Sequence, residues 1–259
     1  MISVNGIIEL QHKTDSGLGA RANIGIIVLR TDQTLEHEFR TLLNLEGVAL
    51  YHSRIANEME VTKEKLAKME ADLPIVASLL PASFNFDVIG YGCTSGATII
   101  GEEQVEKAIQ VSHPEIPTSN PLTACKAALN ALGIKRIAFL TPYESGITTM
   151  MRDNLLENGF EVSSTGSFFE SDDFVVGRIS AESILESIEK VGTRDDCEGV
   201  FVSCTNLRVA SIISVAEDKL GKPVTSSNHA LAWHLLRLAG IQDCPGNAGR
   251  LFQKQLKGK

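Results

Sequence analysis

The chain has 259 residues, 43% apolar and 22% charged, with a formal net charge of −8; this is an ordinary globular composition with length enough for a large core or two lobes. The acidic balance, without any dense lysine and arginine block, argues against a nucleic-acid partner. No stretch approaches the roughly 20 apolar residues that cross a bilayer. The first 17 residues lack the basic region and apolar core of a secretory signal, so a soluble cytoplasmic protein is expected.

In chain order, short apolar runs bounded by Gly, Pro, Asn or Asp predict strands at 23–29 (NIGIIVL), 47–53, 86–92, 135–141, 160–166, 199–204 and 222–227. Apolar residues at helical spacing predict helices over 62–80, 102–109, 122–133, 180–192 and 228–240. Such alternation implies an α/β fold of parallel sheets covered by helices. The signals also recur. The run IGIIVLRTDQT pairs with RIAFLTPYESG, DVIGYGCTSG with GVFVSCTNL, and IPTSNPLTACKAAL with PVTSSNHALAWHLL. Aligning Ile24 with Ile137, Cys93 with Cys204 and Asn120 with Asn228 predicts two pseudo-symmetric lobes with a central cleft. The first lobe is expected over 20–120 plus 229–245, and the second over 121–228. Ligands of open α/β sheets bind beyond the carboxyl ends of the strands, so both Cys-Thr turns should border that cleft.

Five cysteines without CxxC spacing fit free thiols in a reducing compartment. Cys125, Cys197 and Cys244 read as packing or turn residues. Cys93 and Cys204 differ, because each ends a strand, each precedes a helix-like run, and each is the other's counterpart. Backbone N–H groups at Thr94–Ser95 and Thr205–Asn206 would favour a thiolate and cradle a carboxylate. Two thiols on opposite sides of one carbon suit proton removal from one face and delivery to the other, or covalent addition by one with the other as acid. Scattered histidines without HExxH grouping predict no metal, and the lack of GxGxxG or a P-loop predicts no cofactor. Homo-oligomerisation is left open.

The motifs GCTSG and SCTNLR, with LTPYESG between them, resemble the aspartate/glutamate racemase superfamily, and within it the maleate isomerase and arylmalonate decarboxylase branch. The likeness runs from about Ile24 to Ile241 and extends to the ectoine-utilisation members of that branch. It implies a cofactor-independent isomerase or racemase with Cys93 and Cys204 as catalytic thiols and Tyr143 reaching a substrate carboxylate. The decarboxylase members lack the first cysteine, which speaks here for isomerisation or racemisation. Maleate isomerases carry asparagines where this chain has Asp32 and Asp173. An amide donates to a carboxylate, whereas an ionised carboxyl only accepts. Those exchanges imply an amine-bearing, amino-acid-like carboxylate, of the diaminobutyrate type for the ectoine-utilisation members. Asp32 also reads as a helix cap, Asp173 as a loop residue and Tyr143 as a packed loop aromatic. Thr34, Thr94, Ser95, Thr205 and Asn206 are candidate ligand donors that could equally satisfy local backbone. Maleate isomerisation and non-catalytic binding of a small molecule are the alternatives.

Overall fold

The computed structural model describes residues 3–4, 7–8, 10–57 and 63–256. A two-stranded antiparallel ribbon, β1 (Ser3–Val4) and β2 (Ile7–Ile8), precedes the α/β body. The first parallel sheet contains β3 (Ala22–Leu29), β4 (Val48–Ile55), β5 (Val88–Gly92) and β6 (Thr118–Ser119), in the order β4-β3-β5-β6. The second contains β7 (Arg136–Thr141), β8 (Glu161–Ser167), β9 (Gly199–Val202) and β10 (Val224–Ser226), ordered β8-β7-β9-β10. The two orders are the same topology run twice. All seven strands expected from apolar runs are present; β6 has only two residues, too few for the apolar run that marks a strand.

The helices are α1 (Leu35–Leu42), α2 (Lys63–Ser78), α3 (Thr94–Ile100), α4 (Glu102–Gln110), α5 (Pro121–Leu132), α6 (Ser145–Glu157), α7 (Asp173–Val176), α8 (Ala181–Gly192), α9 (Ile213–Leu220), α10 (Ser227–Leu238) and α11 (Gly249–Phe252). Asn120 caps α5 by accepting the N–H groups of Leu122 and Thr123, both at 3.0 Å, and Gly133 closes it in the left-handed conformation. Ser226 caps α10 in the corresponding way. The structural counterpart of Asn120 is therefore Ser226. The sequence alignment had paired it with Asn228, because matching the two asparagines hid a two-residue slip.

The central strands are buried on both faces, which explains their continuous apolar runs. In β3, Ile24, Ile26 and Val28 enter one cluster with α1 and α10, while Ile27 and Leu29 enter another with α2. In β7, Ala138 and Leu140 face α8, and Ile137 and Phe139 face α5 and α6. Helices α5 and α10 lie side by side between the sheets. Ala124, Ala128 and Ala131 of α5 join the first-sheet core, while Cys125 and Leu129 face the second sheet. On β5, Gly90 permits the approach of α10, since a Cβ there would lie 2.7 Å from Ile26 Cδ1 and 3.0 Å from Leu235 Cδ1. Helix α10 thus packs closely on the first sheet.

Candidate active site

Each candidate cysteine follows a strand end, Cys93 directly and Cys204 after one intervening residue, Ser203. Cys93 follows β5 and is the N-cap of α3, its Sγ accepting the Gly96 N–H at 3.2 Å and lying 3.6 Å from Ser95 Oγ. Cys204 follows β9, and its Sγ accepts the Asn206 N–H at 3.4 Å. The helix expected directly after Cys204 is not there. Residues 205–206 form a turn, and regular α-helix resumes only at Ile213. Cys204 itself has φ of +119°, a conformation costing about 1–3 kcal/mol for a residue with a Cβ. The surroundings must hold it, and Ser227 does so by accepting the Cys204 N–H at 3.0 Å.

Ser227 also joins the two turns. Its Oγ lies 2.9 Å from Thr94 Oγ1, so one buried hydroxyl touches the residue after Cys93 and the backbone of Cys204. Thr205 Oγ1 donates to Gly92 O at 3.5 Å, the long limit of a hydrogen bond, and makes a second crossing. Asn228 Nδ2 then donates to Thr205 O at 2.7 Å and to Glu38 Oε2 at 2.8 Å. Glu38 Oε1 accepts the N–H groups of Val209 and Ala210, both at 2.7 Å, while burial lifts its carboxyl to about 7. Ser227, Asn228 and Glu38 were missed as site residues. The repeat pointed to the first two, and the helical spacing of Glu38 with Leu35, Phe39 and Leu42 is the signal that could have found the third.

The candidate ligand donors divide into two sets. Thr34 Oγ1 donates to Asn206 O at 2.8 Å, and Thr94 and Thr205 make the crossings above. Asn206 is a clasp, its Oδ1 accepting Gln33 N–H at 2.9 Å and its Nδ2 donating to Asp173 O at 2.6 Å. These side chains satisfy one another. The N–H groups of Thr94 and Ser95 lie in the first turn of α3, where helix geometry supplies no acceptor. Asp32 and Tyr143 also retain polar capacity.

Asp32 serves the capping reading from two residues before the N-cap position, Thr34. Its Oδ1 accepts the N–H groups of Thr34 and Leu35, both at 2.8 Å, and so caps α1, whereas its buried Oδ2 has no hydrogen-bond partner. Burial raises its carboxyl to about 6, against the N–H donors and the nearby Thr205 hydroxyl, with Asp173 pushing it further up. Asp173 opens α7 and is partly buried; its Oδ2 accepts from Thr31 Oγ1 at 2.6 Å. Burial lifts it too, with Asp172 adding to the rise. Tyr143 stands beside both thiols: burial raises its phenol well above the ordinary value, followed by the fields of Cys204 and Cys93.

Both thiols are neutral at pH 7 in this arrangement. Burial pushes Cys93 up to about 11 and Cys204 higher still. The N–H donors and hydroxyls work in the other direction but are outweighed, and Asp173 adds to both rises. The N–H groups of Gly96 and Asn206 favour the thiolates, but removing the sulfurs from water costs more than those dipoles return. His229 is likewise no proton carrier. Its Nδ1 meets Thr225 Oγ1 at 3.0 Å, its Nε2 meets Ala248 O at 2.6 Å, and burial lowers it to about 4. Cys125 and Cys197 are packed in the core.

Two like-wound parallel sheets whose cysteine-ended strands meet at a buried polar seam define an enzyme of the cysteine-dependent isomerase and decarboxylase class. A profile of the arylmalonate decarboxylase family matches residues 99–252, and the chain belongs to that family. It is 26% identical over 243 residues to the maleate isomerase of Alcaligenes faecalis, spanning 88% of this chain and 95% of that protein. It also resembles the crystal structure of the maleate isomerase Iso from Pseudomonas putida S16, with a TM-score of 0.81 and 26% identity over 89% of this chain and 98% of that one. A cysteine-to-alanine form of Iso, solved with maleate, matches with a TM-score of 0.81 and 25% identity over 89% and 97% of the two chains. Among the described residues, no helix is long and apolar enough to cross a membrane.

Proposed function

We propose that the chain is a cytoplasmic, cofactor-independent isomerase or racemase of a small carboxylate, with Cys93 and Cys204 as its two proton carriers. The observation that carries this reading is the Thr94–Ser227–Cys204 bridge, which joins the turns bearing the two thiols. In the reaction, one thiol in its thiolate form takes the proton next to the carboxylate, breaking that C–H bond and leaving an enolate. The opposite thiol forms the new C–H bond on the other face, so the substrate is inverted and the two sulfurs exchange protonation states. The carboxylate lies on the Thr94 and Ser95 N–H groups and the Tyr143 hydroxyl, donors suited to the enolate charge. The same proposal divides the lobes at 20–120 with 229–245 and at 121–228.

The substrate carries an amine, as the ectoine-utilisation (EutA-type) members of the branch would require. The field of Asp173 raises Asp32, and the fields of both raise Cys204; a cationic nitrogen between them removes that repulsion. Maleate isomerisation is the second reading, favoured by the similarity to maleate isomerases over most of the chain. There one thiolate adds to a double-bond carbon, the resulting single bond rotates, and the C–S bond breaks.

Proton–deuterium exchange in D2O over a panel of small amino acids and dicarboxylates, followed by NMR, separates the readings. Exchange at the carbon next to the carboxylate of an amino-acid substrate is expected, lost by orders of magnitude in Cys93→Ser and in Cys204→Ser. Asp32→Asn with Asp173→Asn should weaken the amine substrate and improve maleate, since a repulsive pair becomes two donors. Efficient maleate turnover by the wild type, with no exchange into any amino acid, would replace the amine reading with the second one.

A further inference from the structure

Among the described residues, the buried side-chain polar atoms without a hydrogen-bond partner are Asp32 Oδ2, Tyr91 Oη and Asn228 Oδ1. Asp32 and Asn228 each use their other polar atom twice. Tyr91 has only its hydroxyl. The side chain is fully buried in β5, and enclosing a hydroxyl without a partner is unfavourable. A phenylalanine would fill the same apolar position without that penalty, so packing does not account for the oxygen.

Its surroundings do. Tyr91 stands two residues before Cys93, and alternate residues of an extended chain share a face. Both side chains enter the cluster around Ile27, Met69 and Ala97. Gly96 locates the hydroxyl: a Cβ at that position would lie 2.4 Å from Tyr91 Oη and 2.9 Å from Cys93 Sγ. Phenol oxygen and sulfur therefore border the same backbone atom, and the absence of a side chain on Gly96 is what lets them. A neutral thiol is a weak acceptor, whereas a thiolate is a strong one. The hydroxyl makes no hydrogen bond of full geometry, yet its closeness already lowers the Cys93 thiol; beside the thiolate the same donor is engaged outright and favours the charged form, without reorganising anything when the charge develops.

We propose that Tyr91 is a positioning residue of the reaction, its hydroxyl being the donor held in place for the thiolate form of Cys93. The inference rests on the reading of Cys93 as a proton carrier. It gives each thiol a phenol, with Tyr91 beside Cys93 and Tyr143 beside Cys204. The two phenols differ in reach. Tyr143 lies on the segment after β7 and Tyr91 within β5, so the second acts on sulfur alone.

The test compares the full-length wild type with Tyr91→Phe, each treated with methyl methanethiosulfonate between pH 6 and pH 9, with modification at each cysteine read by peptide mass spectrometry. The Cys93 rate should fall at least about tenfold in the variant, one unit of thiol pKa, while Cys204 changes less than twofold. The thermal midpoint should stay or rise, because an unpartnered buried hydroxyl has been removed. A Cys93 that reacts equally fast in both proteins would overturn the role of Tyr91 and leave the two-thiol reading standing. So would equal slowing of Cys93 and Cys204 with a lowered midpoint, which marks general damage. A wild-type Cys93 no faster than the core residue Cys125 would overturn the two-thiol reading, and this inference with it.

Discussion

Replacing Ser227 with alanine tests whether the two cysteine turns are one unit. The hydroxyl is fully buried at the start of α10 and holds the Cys204 N–H at 3.0 Å and Thr94 Oγ1 at 2.9 Å. Without it the Cys204 N–H has lost its acceptor where water does not reach, at about 1–3 kcal/mol. Part of that is recovered if Cys204 relaxes from its φ of +119°, which holds strain of similar size, about 1–3 kcal/mol. A net loss of about 1–2 kcal/mol follows. At about 2–4 °C per kcal/mol for a chain of this size, the calorimetric Tm should fall by roughly 2–8 °C. Turnover should fall further than the stability change alone accounts for, since relaxation moves the sulfur. Thr94→Val and the double variant complete a cycle, with an expected coupling of about 0.5–3 kcal/mol for residues in direct contact. Additive effects, with Ser227→Ala within about 0.5 kcal/mol of the wild type, would refute the bridge.

Two further outcomes follow from the same contacts. Gly96→Ala brings a methyl against Tyr91 Oη, Cys93 Sγ and Met69 Cε; Met69 can yield, the other two cannot without moving, so denaturation should show a loss of about 1–3 kcal/mol. Adding Tyr91→Phe, which removes the closest atom, should restore part of it. Asp32 gives a pH-dependent result. Its folded carboxyl sits at about 6 against an ordinary 3.8, so the native state holds the proton longer than the unfolded one. Stability therefore falls as pH rises through the window between those values, by up to about 3 kcal/mol. Asp32→Asn should match the wild type near pH 3.5 and exceed it above pH 6.5, as read by denaturant titration; the same difference at both would contradict the burial argument.

Much of the scaffold was legible because central strands buried on both faces carry apolar runs no helix or loop would mimic, as Ile24–Leu29 and Ile137–Leu140 do. The candidate cysteines were legible for a different reason: they end those runs and recur at matching places. What was not legible is what holds them. Glu38 lies on the apolar stripe of α1 with Leu35, Phe39 and Leu42, which marks it as a buried acid, but only the tertiary fold brings it to the N–H groups of Val209 and Ala210, some 170 residues on. Tyr91 reads as one more apolar strand residue, and its hydroxyl gains meaning only once Gly96 is seen to admit it. Asn206 looked like a free donor, yet folding commits its amide to Gln33 and Asp173.

The raised thiols and the aspartates belong to one electrostatic problem. A thiolate at Cys204 is opposed by burial and by the fields of Asp173 and Asp32, and one at Cys93 by burial and Asp173. Asp32, held at about 6, is largely ionised at neutral pH, and its unpartnered Oδ2 is where that charge is least compensated. Deprotonating a sulfur before any ligand arrives would place further negative charge in a site already short of cations. A ligand ammonium beside the aspartates changes the balance, because it satisfies Oδ2 and cancels the field that opposes the thiolates. A dicarboxylate does the reverse and adds two charges of the wrong sign. If the proposed amine substrate is the ligand, its binding raises the reactivity of both sulfurs above their ligand-free level, and specificity and reactivity then arise from the same two carboxylates.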